Sequence, residues 1–113
     1  MVARGLSKSE WQLYCDHMSK GLTGKRAHIE VTGLSFGDQT AAKWLPLLGI
    51  TYDPKREVLE IALEGFDHLI HKPQGIAVDD GPEGLSAMEV TDADQRRQII
   101  KLAEPLMLPS RST

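Results

Sequence analysis

The stretch Ala41-Ala42-Lys43-Trp44-Leu45-Pro46-Leu47-Leu48-Gly49-Ile50-Thr51-Tyr52-Asp53-Pro54-Lys55-Arg56-Glu57-Val58-Leu59-Glu60-Ile61-Ala62-Leu63-Glu64 decides the fold class. Residues 41–52 read as a long strand, bent near Pro46 and Gly49. Asp53-Pro54-Lys55-Arg56 puts proline where a type I turn prefers it. Residues 58–64 alternate apolar and polar, the period of a half-buried strand, so the whole is an antiparallel hairpin. Trp44, Pro46, Leu48, Ile50 and Tyr52 make one apolar face of the first strand, yet Leu45 and Leu47 make the other face apolar too. A strand apolar on both faces needs two covers.

Upstream, residues 8–20 carry a helix signal. Ser7-Lys8-Ser9-Glu10 has the letters of a capping box, and Leu6 and Trp11 occupy the positions of a hydrophobic staple. Trp11, Tyr14, Cys15, Met18 and Leu22 recur at spacings of three and four, giving one apolar stripe, and Gly21 stands where a left-handed C-terminal cap is wanted. The period then changes to two in residues 27–32, a half-buried strand, and residues 34–39 read as a loop. Downstream of the hairpin, residues 65–73 are expected to form a helical turn, residues 76–78 a short strand and residues 79–84 an acidic turn. A last hairpin joins residues 85–91 to 97–103 through a turn at 92–95.

These elements give an α+β fold: an N-terminal amphipathic helix followed by five or six mostly antiparallel strands in a bent sheet or small partly open barrel. The expected layout is a single domain, residues 1–113, with 1–6 and 110–113 frayed. Of the 113 residues 41% are hydrophobic and 26% charged, the balance of an ordinary globular domain.

The net charge of −3 hides an uneven distribution. Residues 57–94 hold ten acids and one base, Lys72, a balance of −9, while the remaining residues hold twelve bases against six acids, a balance of +6. An acidic middle third repels phosphates, so no nucleic-acid partner is expected. Cys15 is the single cysteine and cannot close an intramolecular bridge. The N-terminal residues show no apolar stretch of a signal's length. The longest apolar run, residues 44–50, is interrupted by Pro46 and Gly49 and falls short of the roughly 20 residues of a membrane span. A cytoplasmic location without membrane contact is the expectation.

Three segments look like family signatures: residues 44–54, Leu59-Glu60-Ile61-Ala62-Leu63-Glu64-Gly65 with Asp67-His68-Leu69-Ile70, and Glu104-Pro105-Leu106-Met107-Leu108-Pro109. On them the chain resembles a small uncharacterised bacterial family, known only as a domain of unknown function, from Glu10-Trp11 to Pro109. The resemblance implies no activity and supplies no catalytic or binding residues. It does imply a slightly strained last hairpin turn, because the family pattern ends that turn in glycine where this chain has Gln95.

Among groups that carry chemistry, Asp67-His68-Leu69-Ile70-His71 is the most suggestive, since histidines three apart on a helical turn can converge on one ion. A third ligand would have to come from Asp79 or Asp80. Asp67, His68, His71, Asp79 and Asp80 are therefore the candidate ligand-binding residues, although chance spacing makes surface or hydrogen-bonded histidines the commoner outcome. Asp92-Ala93-Asp94 lacks the calcium-loop pattern and reads as turn chemistry. Gly33-Leu34-Ser35-Phe36-Gly37 has the letters of a nucleophile elbow, but it follows a half-exposed strand with no helix pattern behind it. No catalytic residue, cofactor or metal is expected. The favoured reading is a non-enzymatic binding or protein-interaction module with an acidic face. Its partner is a second copy or another protein, with Leu45, Leu47, Leu106, Met107 and Leu108 as the candidate interface. The alternative is a small metal- or ligand-binding enzyme or sensor using Asp67, His68 and His71.

Overall fold

The structure, a computed structural model, describes residues 4–33, 37–82 and 84–103. One helix precedes seven of eight strands: β1 (Arg4–Leu6), α1 (Trp11–Leu22), β2 (Arg26–Gly33), β3 (Gly37–Asp53), β4 (Val58–Leu63), β5 (Phe66–His71), β6 (Gly75–Gly81), β7 (Gly84–Thr91) and β8 (Arg97–Ala103). The strands form a single antiparallel sheet in the order β1-β6-β7-β8-β2-β3-β4-β5, curled into a half-barrel. The described residues are thus mostly β with one helix, and they hold more strands than the five or six expected. The two additions are the edge strands. Residues 65–73 do not make a helical turn: Phe66–His71 form β5, paired with β4 across the two-residue connection Glu64-Gly65. Arg4–Leu6, within the segment expected to fray, pair with β6.

The helix forms where its stripe predicts. Glu10 reaches back to accept from the Ser7 amide at 2.9 Å and its hydroxyl at 3.0 Å, satisfying donors that the first turn leaves open. Residues Lys8–Glu10 are a 3-10 turn leading into α1. Trp11, Cys15 and Leu22 are buried, with Tyr14 and Met18 packed against the same core. The helix runs through Gly21, which does not cap it; Leu22 also needs burial, and the left-handed turn comes at Gly24 (φ 93°). The Trp11 ring meets Tyr52 edge to face at 5.2 Å, and its Nε1 donates to the Leu6 carbonyl at 3.1 Å.

α1 packs chiefly on β3, and the reason is a gap in the sheet. β2 accompanies β3 only as far as the Arg26–Pro46 pair, so β3 beyond that point lacks a neighbour on that side. Ser19 fills the place: its Oγ donates to the Ile50 carbonyl at 2.6 Å and accepts from the Ile50 amide at 2.8 Å. A Cβ at Gly49 would sit 3.5 Å from Ser19 Oγ, an ordinary van der Waals contact, so Ser19 packs closely over this glycine.

β3 also corrects the expected division of its apolar faces. The register against β4 slips between Leu47 and Gly49, leaving Leu48 as the extra residue of a bulge. A one-residue slip exchanges the faces. Leu47, expected to point away from the interior, is therefore fully buried at 0% exposure, while Leu48, expected inside, is 55% exposed. Leu45 packs partly buried against the core. A second bulge, against β2, sets Trp44 in the left-handed region (φ 53°), with its ring beside His28 and under the Arg26 guanidinium. Leu47 is thus core rather than interface. Leu106, Met107 and Leu108 lie outside the described residues, as do Ser35 of the elbow-like motif and the frayed tail expected at 110–113.

Candidate functional site

The candidate residues divide between the two ends of the sheet. Asp67, His68 and His71 lie on β5, at one edge, and Asp79 and Asp80 on β6, next to the other, with β7, β8, β2, β3 and β4 between them. Strand geometry separates the first group further. Successive side chains alternate faces, so His68 lies on the face of buried Ile70, whereas Asp67, Leu69 and His71 lie on the opposite face. The two histidines that a helical turn would have brought together point apart. Among the described residues no group of three or more His, Cys, Asp or Glu side chains is placed to hold a metal ion.

Asp80 has a structural partner set. It accepts from Arg4 Nη2 at 3.0 Å and from the Tyr14 hydroxyl at 2.7 Å, tying β1 and α1 to β6. Those bonds, Arg4's first, hold its carboxyl below the ordinary value, while burial and then the bond to Asp80 push the Tyr14 phenol up. The Asp79 carbonyl accepts from the Ser86 hydroxyl at 2.9 Å, across the hairpin. The acidic turn expected at 79–84 is shorter than that, because β6 continues through Gly81.

His68 belongs to a buried polar chain that the sequence did not reveal. Its Nε2 lies 2.6 Å from Gln98 Oε1, bridging β5 to β8 across the concave side of the half-barrel. Gln98 Nε2 donates to Asp92 Oδ2 at 2.9 Å, and Arg96 Nε donates to the same oxygen at 2.8 Å. Asp92 Oδ1 accepts from the amides of Asp94 and Arg96, both at 2.9 Å, so this side chain also builds the last hairpin turn. Asp92 is 2% exposed. Burial alone would raise its pKa, but the bonds from Gln98, from the Arg96 amide and side chain and from the Asp94 amide hold it below the ordinary carboxylate value. Gln95 sits in that turn at φ 64°, the strained geometry that the missing glycine implies.

Clefts open on both sides of the His68–Gln98 bridge. One, of about 410 Å³, lies between His68 and the β2–β3 end at Val31, Gln39 and Thr40. The other, of about 200 Å³, separates His71 and Lys72 from Asp94 and Arg96. On the opposite face of β5 a groove of about 440 Å³ gathers Asp16, Asp53, Glu60 and Asp67, with Arg56, around Leu69. Glu60 and Asp67 of the acidic middle thus join Asp16 and Asp53 from outside it in one acidic groove.

Between these hollows runs the edge of β5 itself. The Lys72 amide donates to the Glu57 carbonyl at 2.6 Å. In an antiparallel ladder bonded pairs recur at every second residue, so Phe66, His68 and Ile70 also turn their backbone groups toward β4 in the observed register. The N–H and C=O groups of Asp67, Leu69 and His71 point the other way, to an edge with no strand beside it among the described residues. Leu69 is 43% and Phe66 40% exposed there. The sequence signal for this strand was Glu64-Gly65, a two-residue connection with glycine at φ 79° following an alternating run.

Comparison with known proteins agrees with the resemblance read from the sequence. An uncharacterized protein from Aquifex aeolicus (strain VF5) is 36% identical over 110 residues, which span 96% of this chain and 99% of that protein. No solved structure matches the chain. The model of a family of unknown function, DUF5335, matches residues 2–111, and the chain belongs to that family.

Proposed function

We propose that the protein is a non-enzymatic interaction module whose docking element is the open edge of β5, flanked by the acidic groove. The observation that carries this reading is the outward row of backbone donors and acceptors at Asp67, Leu69 and His71, beside the exposed Leu69 side chain. Unpaired strand edges bind extended segments by adding a strand, with main-chain bonds giving affinity and neighbouring pockets giving selectivity. Clefts at both ends of the His68–Gln98 bridge leave space beside the edge for such a segment. The charged Asp67 and Lys72 oppose indiscriminate pairing. The side chains with chemical potential in this region are engaged in holding the fold: His68 bonds Gln98, and Asp92 closes its turn.

A photo-crosslinking amino acid placed at position 69 in the native cell tests the reading, with position 48, exposed at the β3 bulge, as the comparison. Discrete protein adducts from position 69 that are absent from position 48 are expected. Absence of any adduct from position 69 would refute the edge as a docking element.

A further inference from the structure

We infer that the segment docking on β5 is β5 of a second copy of this chain, joined about a two-fold axis at Leu69. The inference rests on the edge-docking reading above and adds the identity of the partner.

Two conditions restrict the register. Backbone groups must meet backbone groups, which requires that Asp67, Leu69 and His71 of one chain face residues of the same set in the other. Side chains in an antiparallel pair must also share a face. Registers centred on His68, Leu69 or Ile70 meet both, and centring on Leu69 is the one of these that pairs Asp67, Leu69 and His71 all at once. Leu69 then faces Leu69 of the partner subunit, Asp67 faces the partner's His71, and His71 faces the partner's Asp67. Each of these three pairs would exchange two main-chain bonds. A register centred between His68 and Leu69 fails, because it sets outward-pointing groups against groups already bonded to β4.

The side chains then complement one another. The exposed Leu69 meets its own symmetry mate, removing apolar surface from water on both copies. Each Asp67 carboxylate gains an imidazole opposite it in place of a like charge, and favourable cross-strand pairs of this kind stabilise a ladder. The pattern Asp67-x-Leu69-x-His71 reads as its own complement when the strand is turned around, and self-complementarity is what an isologous two-fold interface demands. The joined sheets would run through both half-barrels, with the acidic grooves on the same face as the Leu69 pair.

The test is oxidative cross-linking of Leu69→Cys in the intact chain. Facing residues of a bonded pair have Cα atoms about 5.5 Å apart, within the range that a disulfide spans. The native Cys15 is buried, so the introduced thiol is the accessible one. A covalent dimer should form in good yield from Leu69→Cys, while Leu13→Cys, exposed on α1, stays monomeric. Adding His71→Asp should cut the yield several-fold by setting carboxylate against carboxylate, and the exchange Asp67→His with His71→Asp should restore it. Circular dichroism on each variant reports that the sheet is intact. No covalent dimer from Leu69→Cys, or a yield that ignores the changes at 67 and 71, overturns the inference. If position 69 then still captures a different protein in the cell, the edge-docking reading stands alone; if it captures nothing, both fall.

Discussion

Replacing Asp92 by Asn asks whether the buried polar chain holds the half-barrel curled. The substitution keeps the shape and the Oδ1 acceptor for the Asp94 and Arg96 amides, but it puts an amide nitrogen where Oδ2 received Arg96 Nε and Gln98 Nε2 at 2.8 and 2.9 Å. Hydrogen bonds to a charged group contribute about 1.5 to 3 kcal/mol each. The Arg96 share belongs at the low end, because that side chain is 39% exposed and screened by water. Gln98 can recover one bond by turning its amide, so the expected loss is about 2 to 3 kcal/mol. For a chain of this length that is about 8 to 12 °C in Tm. Urea unfolding at pH 7, followed by tryptophan fluorescence, measures it. Because the folded carboxyl is held below its unfolded value of about 3.9, its contribution is present above that pH and is lost as pH falls through the folded value. The gap between wild type and Asp92→Asn should therefore narrow below about pH 4. A difference under about 0.5 kcal/mol at pH 7, or one that ignores pH, would show that the chain is not formed as described.

Three further outcomes are expected. Trp11→Ala should cost about 3 to 5 kcal/mol through the cavity left against Tyr52, whereas Ser7→Ala should cost about 1 kcal/mol through the cap; equal effects in chemical denaturation would contradict the packing of the helix stripe. Cys15, whose thiol burial and then the neighbouring Asp16 push up to about 12, should resist thiol reagents at pH 8 in the folded chain and react on unfolding, since the thiolate is the nucleophile; rapid labelling of folded protein would contradict its burial. Gln95→Gly should stabilise by about 0.5 to 1 kcal/mol by relieving the left-handed φ, and a loss of stability in the same melt would show that the turn is unstrained.

The parts of the fold legible in the sequence are those where one face is buried and the other wet. The α1 stripe and the alternating runs of β2, β4 and β8 have that character, and the structure places all four where the patterns fall. β5 was hidden because its pattern is broken: Ile70 is the one fully buried side chain, Leu69 is exposed, and His68 faces inward over a cleft. An open edge strand has less core to face, so its apolar and polar residues do not alternate in sequence although its side chains alternate faces. The exchange of Leu47 and Leu48 was hidden for a different reason. A bulge adds a residue without changing composition, and nothing in Leu-Leu-Gly says which leucine turns out. Asp92 was read correctly as a turn residue, but the link from its partner Gln98 to His68 on β5 joins segments far apart in the chain, which no local pattern records.

Backbone amide exchange at Asp67, Leu69 and His71 tests the central claim most directly, because these are the groups that β4 leaves free. At high protein concentration their amides should be protected, and dilution should release them while the amides of His68 and Ile70 stay protected by β4. Fast exchange at every concentration would mean that no second copy joins this edge, and protection that persists on dilution would mean that the chain covers the edge itself; either result contradicts the two-fold pairing.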